Sequence, residues 1–181
     1  KITVCCATDG NHGRSVAWGA QKFGCNCEIY IHRTVSVARE EAIAKYGAIV
    51  NRINGNYDES VHIAAEVSES NGYYVVSDTS YEGYTDIPKD VMQGYTVMVD
   101  EAMKQMEEVP THVFLQGGVG GFPAAVVSFL VESLECPPIF VVVEPTNADC
   151  LFQSAVNGEP TVIHGDLDTI MAGLACGEVS L

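Results

Sequence analysis

Short apolar runs rich in β-branched residues alternate along the chain with stretches whose apolar positions recur every three or four residues. A two-residue period giving way repeatedly to a 3.6-residue period predicts strand–helix–strand units. The runs at 2–7, 27–31, 48–53, 73–77, 112–116 and 139–143 read as strands, with helices between them. The clearest helix begins near Asp86 and Pro88, where a carboxylate and a first-turn proline suit a helix start. It continues through Ile87, Val91, Tyr95, Met98, Ala102 and Met106, whose spacing of three and four places them on one face. The run Ile139, Phe140, Val141, Val142, Val143 does not alternate, which predicts a strand buried on both faces within a parallel sheet. The fold class that follows is α/β: a three-layer αβα sandwich with a mainly parallel, Rossmann-like sheet, residues 1–181 forming a single domain. Ligands in such folds bind at the C-terminal ends of the strands, so chemistry is expected in the loops that follow them.

Composition narrows the function classes. The 181 residues are 47% hydrophobic and 18% charged, enough apolar material for a core without a disulfide or metal staple. Nine Lys and Arg against 24 Asp and Glu give a net charge of −15, a field that repels nucleic acid and anionic lipid. No apolar run approaches the ~18 residues of a membrane span. The seven cysteines are odd in number and contain no CxxC pair, which fits a reducing, cytoplasmic setting. Histidines are scattered without ligand spacing, so no metal site is expected. The chain opens at Lys1 on an apolar run, with neither an initiator Met nor a signal-peptide pattern, and is expected to be a piece of a longer protein.

Three strand-end loops carry the signal. Thr8-Asp9-Gly10-Asn11-His12-Gly13 follows the first strand and leads into a helix expected near Arg14. It reads equally as a capped turn and as a polar ligand loop at a helix start. Gln116-Gly117-Gly118-Val119-Gly120-Gly121 lies between a strand and a helix expected near Phe122 and Pro123. Four glycines in five positions suit a close approach to the backbone, for which a phosphate is the usual candidate, and the alternative is a structural turn. The pattern is neither GxGxxG nor a P-loop. Residues 77–85, Ser-Asp-Thr-Ser-Tyr-Glu-Gly-Tyr-Thr, place Asp78 at another strand end, where it is either a turn cap or a base.

These loops, together with Val143-Glu144-Pro145 and Ile-Met-Ala-Gly-Leu-Ala-Cys-Gly-Glu at 170–178, resemble the diaminopropionate ammonia-lyase family, within the fold type II pyridoxal phosphate group. The resemblance covers nearly the whole chain, and Asp9 in the first loop is its most specific mark. It implies α,β-elimination of 2,3-diaminopropionate to pyruvate and ammonia, with pyridoxal 5'-phosphate as cofactor. It implies that Asn11 bonds the cofactor's 3-hydroxyl oxygen, and that Gly117, Gly118, Val119, Gly120 and Gly121 cradle its phosphate. Thr8 and His12 would hold the substrate carboxylate, and Asp9 and Asp78 would be the alternative catalytic bases for the D and L isomers. Cys150 and Cys176 would lie close enough to bridge, and the parent enzyme would be a homodimer acting on a small amino acid.

The resemblance also carries departures. None of Lys1, Lys22, Lys45, Lys89 and Lys104 stands where the family's Schiff-base lysine belongs, upstream of the first loop, and the partner of the pyridine nitrogen is expected beyond Leu181. The piece alone is therefore expected to be inactive. A serine or threonine dehydratase of the same fold and a non-catalytic metabolite-binding module are the rival readings.

Overall fold

The computed structural model describes residues 1–8, 10–55 and 57–181. It is a mixed α/β fold whose residues gather into two compact units, 1–77 and 78–181.

The first unit opens with β1 (Thr3–Ala7), α1 (Asn11–Phe23), β2 (Asn26–His32) and α2 (Val37–Ala44), and continues with β3 (Ile49–Ile53), α3 (Tyr57–Asn71) and β4 (Tyr74–Val75). The four strands form one parallel sheet in the order β3-β2-β1-β4. Alternation along each strand sends successive side chains to opposite faces, so adjacent Cys5 and Cys6 enter different cores. Cys6, Cys27, Ile29 and Ile31 pack with Ala17 and Ala20 of α1 and Ile43 of α2. Cys5 and Tyr30 pack with Ala64 of α3 on the other face. This unit is thus three-layered by itself. Arg52 closes the β2–α2 connection by donating to the carbonyls of Arg33 at 2.9 Å and Val35 at 2.7 Å and by pairing with Glu40.

The second unit runs α4 (Asp86–Gln105), β5 (His112–Gln116), α5 (Gly121–Ser133), β6 (Ile139–Val143) and α6 (Cys150–Asn157), then a 3-10 turn at Ala172–Leu174. Strands β5 and β6 pair in parallel, and their core joins Leu115 to Val99 of α4 and to Val126 and Leu130 of α5.

Three sequence expectations are corrected. The strand expected at 73–77 is only two residues long, because Val76 leaves the sheet after its N–H reaches the Cys5 carbonyl at 2.9 Å. The face of α4 read off the sequence is only partly covered: Ile87, Val91, Tyr95 and Ala102 are half-buried but Met98 and Met106 are exposed, while the fully buried positions, Pro88 and Val99, lie beside it. Both sets have helical spacing, and only packing against α5 decides which is fully covered. Strand β6 is not buried on both faces, since Ile139 is 60% and Val143 49% exposed. A non-alternating strand is buried throughout only where helices cover both sides, and the helical core of this unit lies with Val99, Val126 and Leu130.

Candidate active site

In the first unit, the turn between β1 and α1 is built around Thr8. Its backbone N–H extends the sheet to the Tyr30 carbonyl at 3.0 Å, and its buried hydroxyl oxygen accepts the N–H groups of Gly10 and Gly13, each at 3.0 Å. With two amides gathered on one oxygen, the helix begins at Asn11, earlier than the Arg14 start read from sequence. Gly10, at φ 150°, has no side chain to cap the helix. The backbone also passes close beneath neighbours: a Cβ on Gly10 would lie 3.1 Å from Cδ of Arg39. One on Gly13 would lie 2.4 Å from Thr8 Cγ2 and 3.1 Å from Ile29 Cγ2.

Asn11 is exposed at the first position of α1. His12 bonds through Nε2 to the Val76 carbonyl at 2.7 Å, which ties the first turn of α1 to the end of β4. The structure thus gathers Thr8, Asn11 and His12 at one helix N-terminus, a place that favours a carboxylate or phosphate. Asp9 lies outside the described residues.

In the second unit, the glycine loop joins β5 to α5. Its first amide, on Gly117, donates to the Val143 carbonyl at 2.8 Å. Close approach is real here, and much of it comes from the protein. A Cβ on Gly117 would lie 2.7 Å from Leu151 and 2.8 Å from Val142, and one on Gly120 would lie 2.9 Å from Leu151. Gly120 also sits at φ 105°, a conformation that favours glycine. Leu151 is placed by Glu144, whose carboxylate accepts the N–H groups of Leu151 at 2.9 Å and Phe152 at 2.8 Å at the start of α6. Helix α5 begins at Gly121 without a side-chain cap. Its first-turn N–H groups on Gly121 and Phe122 are therefore directed at the mouth of the loop, and Pro123 contributes none. A phosphate fits this cradle: the donors are backbone amides at a positive helix end, and no Cβ fills the loop from 117 to 121 apart from Val119.

Gly118 faces the chain's last segment: its carbonyl is 3.5 Å from the Cys150 thiol, and a Cβ on it would meet Cys176 Sγ at 3.3 Å. Cys150 is a free thiol, pushed up in pKa by burial and then by the Glu144 charge. Beside the loop, a cleft of about 230 Å³ opens at the ends of β5 and β6, lined by Gln116, Glu144, Thr169, Met171 and Leu174 among others.

Asp78 is half-buried and belongs to the same unit as the glycine loop. Its carbonyl oxygen is 3.8 Å from the position of a Cβ on Gly121, so the loop carrying it runs alongside the start of α5. The phenol of Tyr95 is raised in pKa by burial and then by the charge of Asp78, and its ring meets Phe122 edge-on at 5.6 Å. Further along, Tyr81 and Tyr84 stack at 5.0 Å. Sequence reasoning found the three loops but not Glu144 as the cap of α6, nor Arg39 over Gly10. Only the family resemblance had drawn attention to the Val-Glu-Pro segment. Among the described residues no group of three His, Cys, Asp or Glu could hold a metal ion, and no helix is long and apolar enough to cross a membrane.

With this geometry in place, comparison with known proteins is informative. The family described as "Pyridoxal-phosphate dependent enzyme" matches residues 1–181. Diaminopropionate ammonia-lyase of Escherichia coli strain K12 is 44% identical over 182 residues, covering 98% of this chain and 46% of the relative. The crystal structure of selenomethionine-incorporated holo diaminopropionate ammonia lyase from Escherichia coli superposes with a TM-score of 0.92 at 42% identity, covering 99% of this chain and 46% of that one. Threonine dehydratase 1 of Solanum lycopersicum is more distant, 28% identical over 165 residues, covering 88% of this chain and 25% of the relative. The chain spans about half the length of the diaminopropionate ammonia-lyases it matches.

Proposed function

The chain belongs to the family of pyridoxal-phosphate dependent enzymes over its whole length, and from that premise we propose that the protein carrying it catalyses α,β-elimination of 2,3-diaminopropionate. The observation that carries this reading is the 44% identity to the Escherichia coli enzyme across 98% of the chain. In the reaction a base takes the α-proton and the β-amine leaves, and the resulting aminoacrylate hydrolyses to pyruvate and ammonia. Bound pyridoxal 5'-phosphate supplies the electron sink that makes the α-proton acidic.

The chain's own residues bind and move protons. The amides at Gly117–Gly121 hold the cofactor phosphate, and Asn11 bonds the 3-hydroxyl oxygen. Thr8 and His12, at the α1 N-terminus, serve the substrate carboxylate, His12 by fixing the first turn through its bond to Val76. Asp9 takes the α-proton of the D isomer and Asp78 that of the L isomer. The two isomers present that hydrogen on opposite sides once carboxylate and β-carbon are fixed, and one positioned base serves only one side well.

The test is a crossed pair of variants in an enzyme of the relatives' full length that contains this chain. Asp9→Asn is expected to cut turnover of D-diaminopropionate by about 10²-fold or more and to spare the L isomer, and Asp78→Asn to do the reverse. Equal losses on both isomers in either variant would mean a shared base. Faster turnover of L-threonine or L-serine than of diaminopropionate by the unmodified enzyme would favour a dehydratase instead.

A further inference from the structure

We propose that Ser180 is a positioning residue for the reaction, a clamp that sets the loop bearing Asp78 against the glycine loop. The inference rests on the reading of Asp78 as the base for the L isomer. Ser180 reaches both loops at once. Its backbone N–H donates to the Val119 carbonyl, inside the glycine loop, at 2.8 Å. Its hydroxyl oxygen accepts the backbone N–H of Ser80 at 2.9 Å and lies 2.7 Å from the Ser80 hydroxyl oxygen.

The proton directions follow from the neighbours. The Ser80 hydroxyl donates to the Leu181 carbonyl, so in the pair of hydroxyls Ser180 is the donor and Ser80 the acceptor. The Leu181 N–H returns to the Ser80 carbonyl at 3.4 Å. Ser80 is 5% exposed, so water cannot readily replace these partners, and each lost bond would leave a buried group unsatisfied. Ser80 is two residues from Asp78, and a displacement of the loop at Ser80 is transmitted to the carboxylate through two peptide units. Displacement of a catalytic group by 1 Å costs on the order of 10²-fold in rate.

The side chain and the backbone of Ser180 serve different loops, which makes the clamp separable. Ser180→Ala removes the hydroxyl that holds Ser80 and retains the N–H that holds Val119. Ser180→Thr keeps both. In the full-length holoenzyme, Ser180→Ala is expected to lower kcat for L-diaminopropionate by about tenfold or more with KM within about twofold, and to leave the D isomer within about twofold. Ser180→Thr should restore the L rate. Hydrogen–deuterium exchange over residues 78–84 supplies a readout independent of turnover: the Ser80 amide should exchange at least about tenfold faster in Ser180→Ala and at the original rate in Ser180→Thr.

Unchanged exchange in Ser180→Ala would overturn the clamp. Faster exchange with equal losses on both isomers would overturn its link to Asp78. Asp78→Asn, assayed alongside, separates the two failures. If it remains selective for the L isomer while Ser180→Ala is not, this inference alone falls, and if it too is unselective, the assignment of Asp78 falls with it.

Discussion

At Gly13 the sequence tolerates nothing larger, and the reason is a neighbour only five positions away. A Cβ there would sit 2.4 Å from the methyl of Thr8, and that methyl cannot swing aside while the Thr8 hydroxyl holds two amides. Gly13→Ala is expected to destabilise the fold by about 2–3 kcal/mol, read as a lower urea midpoint. Thr8→Ser removes the offending methyl and keeps the oxygen, so adding it to Gly13→Ala should recover part of the loss; no recovery would mean that Ile29 is the true obstacle. Thr8→Val keeps the shape and loses the acceptor, and is expected to cost about 2 kcal/mol or more, since the amides of Gly10 and Gly13 lose their shared partner.

Helix α6 shows how an element is placed by a residue outside it. Asp149 precedes the helix but does not cap it, and Glu144 does so from the end of β6. The capped helix then presents Leu151 to Gly117 and Gly120. Glu144→Ala should therefore act twice, lowering stability by about 1–2 kcal/mol through loss of the cap and loosening the glycine loop that Leu151 shapes. Glu144→Gln retains one acceptor oxygen and should lose about half as much stability. Fluorescence titration of pyridoxal phosphate into the full-length apoenzyme measures the second effect, with weaker binding expected in Glu144→Ala. Unaltered affinity would show that the loop keeps its form without Leu151 in register.

Across the molecule, buried thiols make the fold sensitive to alkali. Burial, followed by the charges of neighbouring groups, pushes Cys27 up to about 12, and burial raises Cys5 as well. An unfolded thiol titrates near ~8.5, so the folded state binds these protons more tightly. Their contribution is present in full below about pH 8.5 and is lost as pH rises toward 12. The urea midpoint should fall over that window, and less steeply in Cys27→Ala. The same burial predicts that Cys136, which is exposed, reacts with a thiol reagent at pH 7, whereas Cys5, Cys27 and Cys150 react only on unfolding.

What the sequence determined by itself is what covalent spacing can encode. Strands β5 and β6 have the residue ranges that their apolar runs mark, the period of two sends Cys5 and Cys6 to opposite cores, and the polar loops stand at strand ends. The family, too, was legible, because its loops are local strings of residues. Tertiary structure alone decided which positions of α4 are fully buried, since periodicity fixes the spacing of a face and not its partner. It decided that Leu151 occupies the space beside Gly117 and Gly120, which a glycine-rich string leaves open to ligand and protein alike. It also joined Ser80 to Ser180 across 100 positions. A pairing at that separation depends on where the intervening elements pack, and no local period records it.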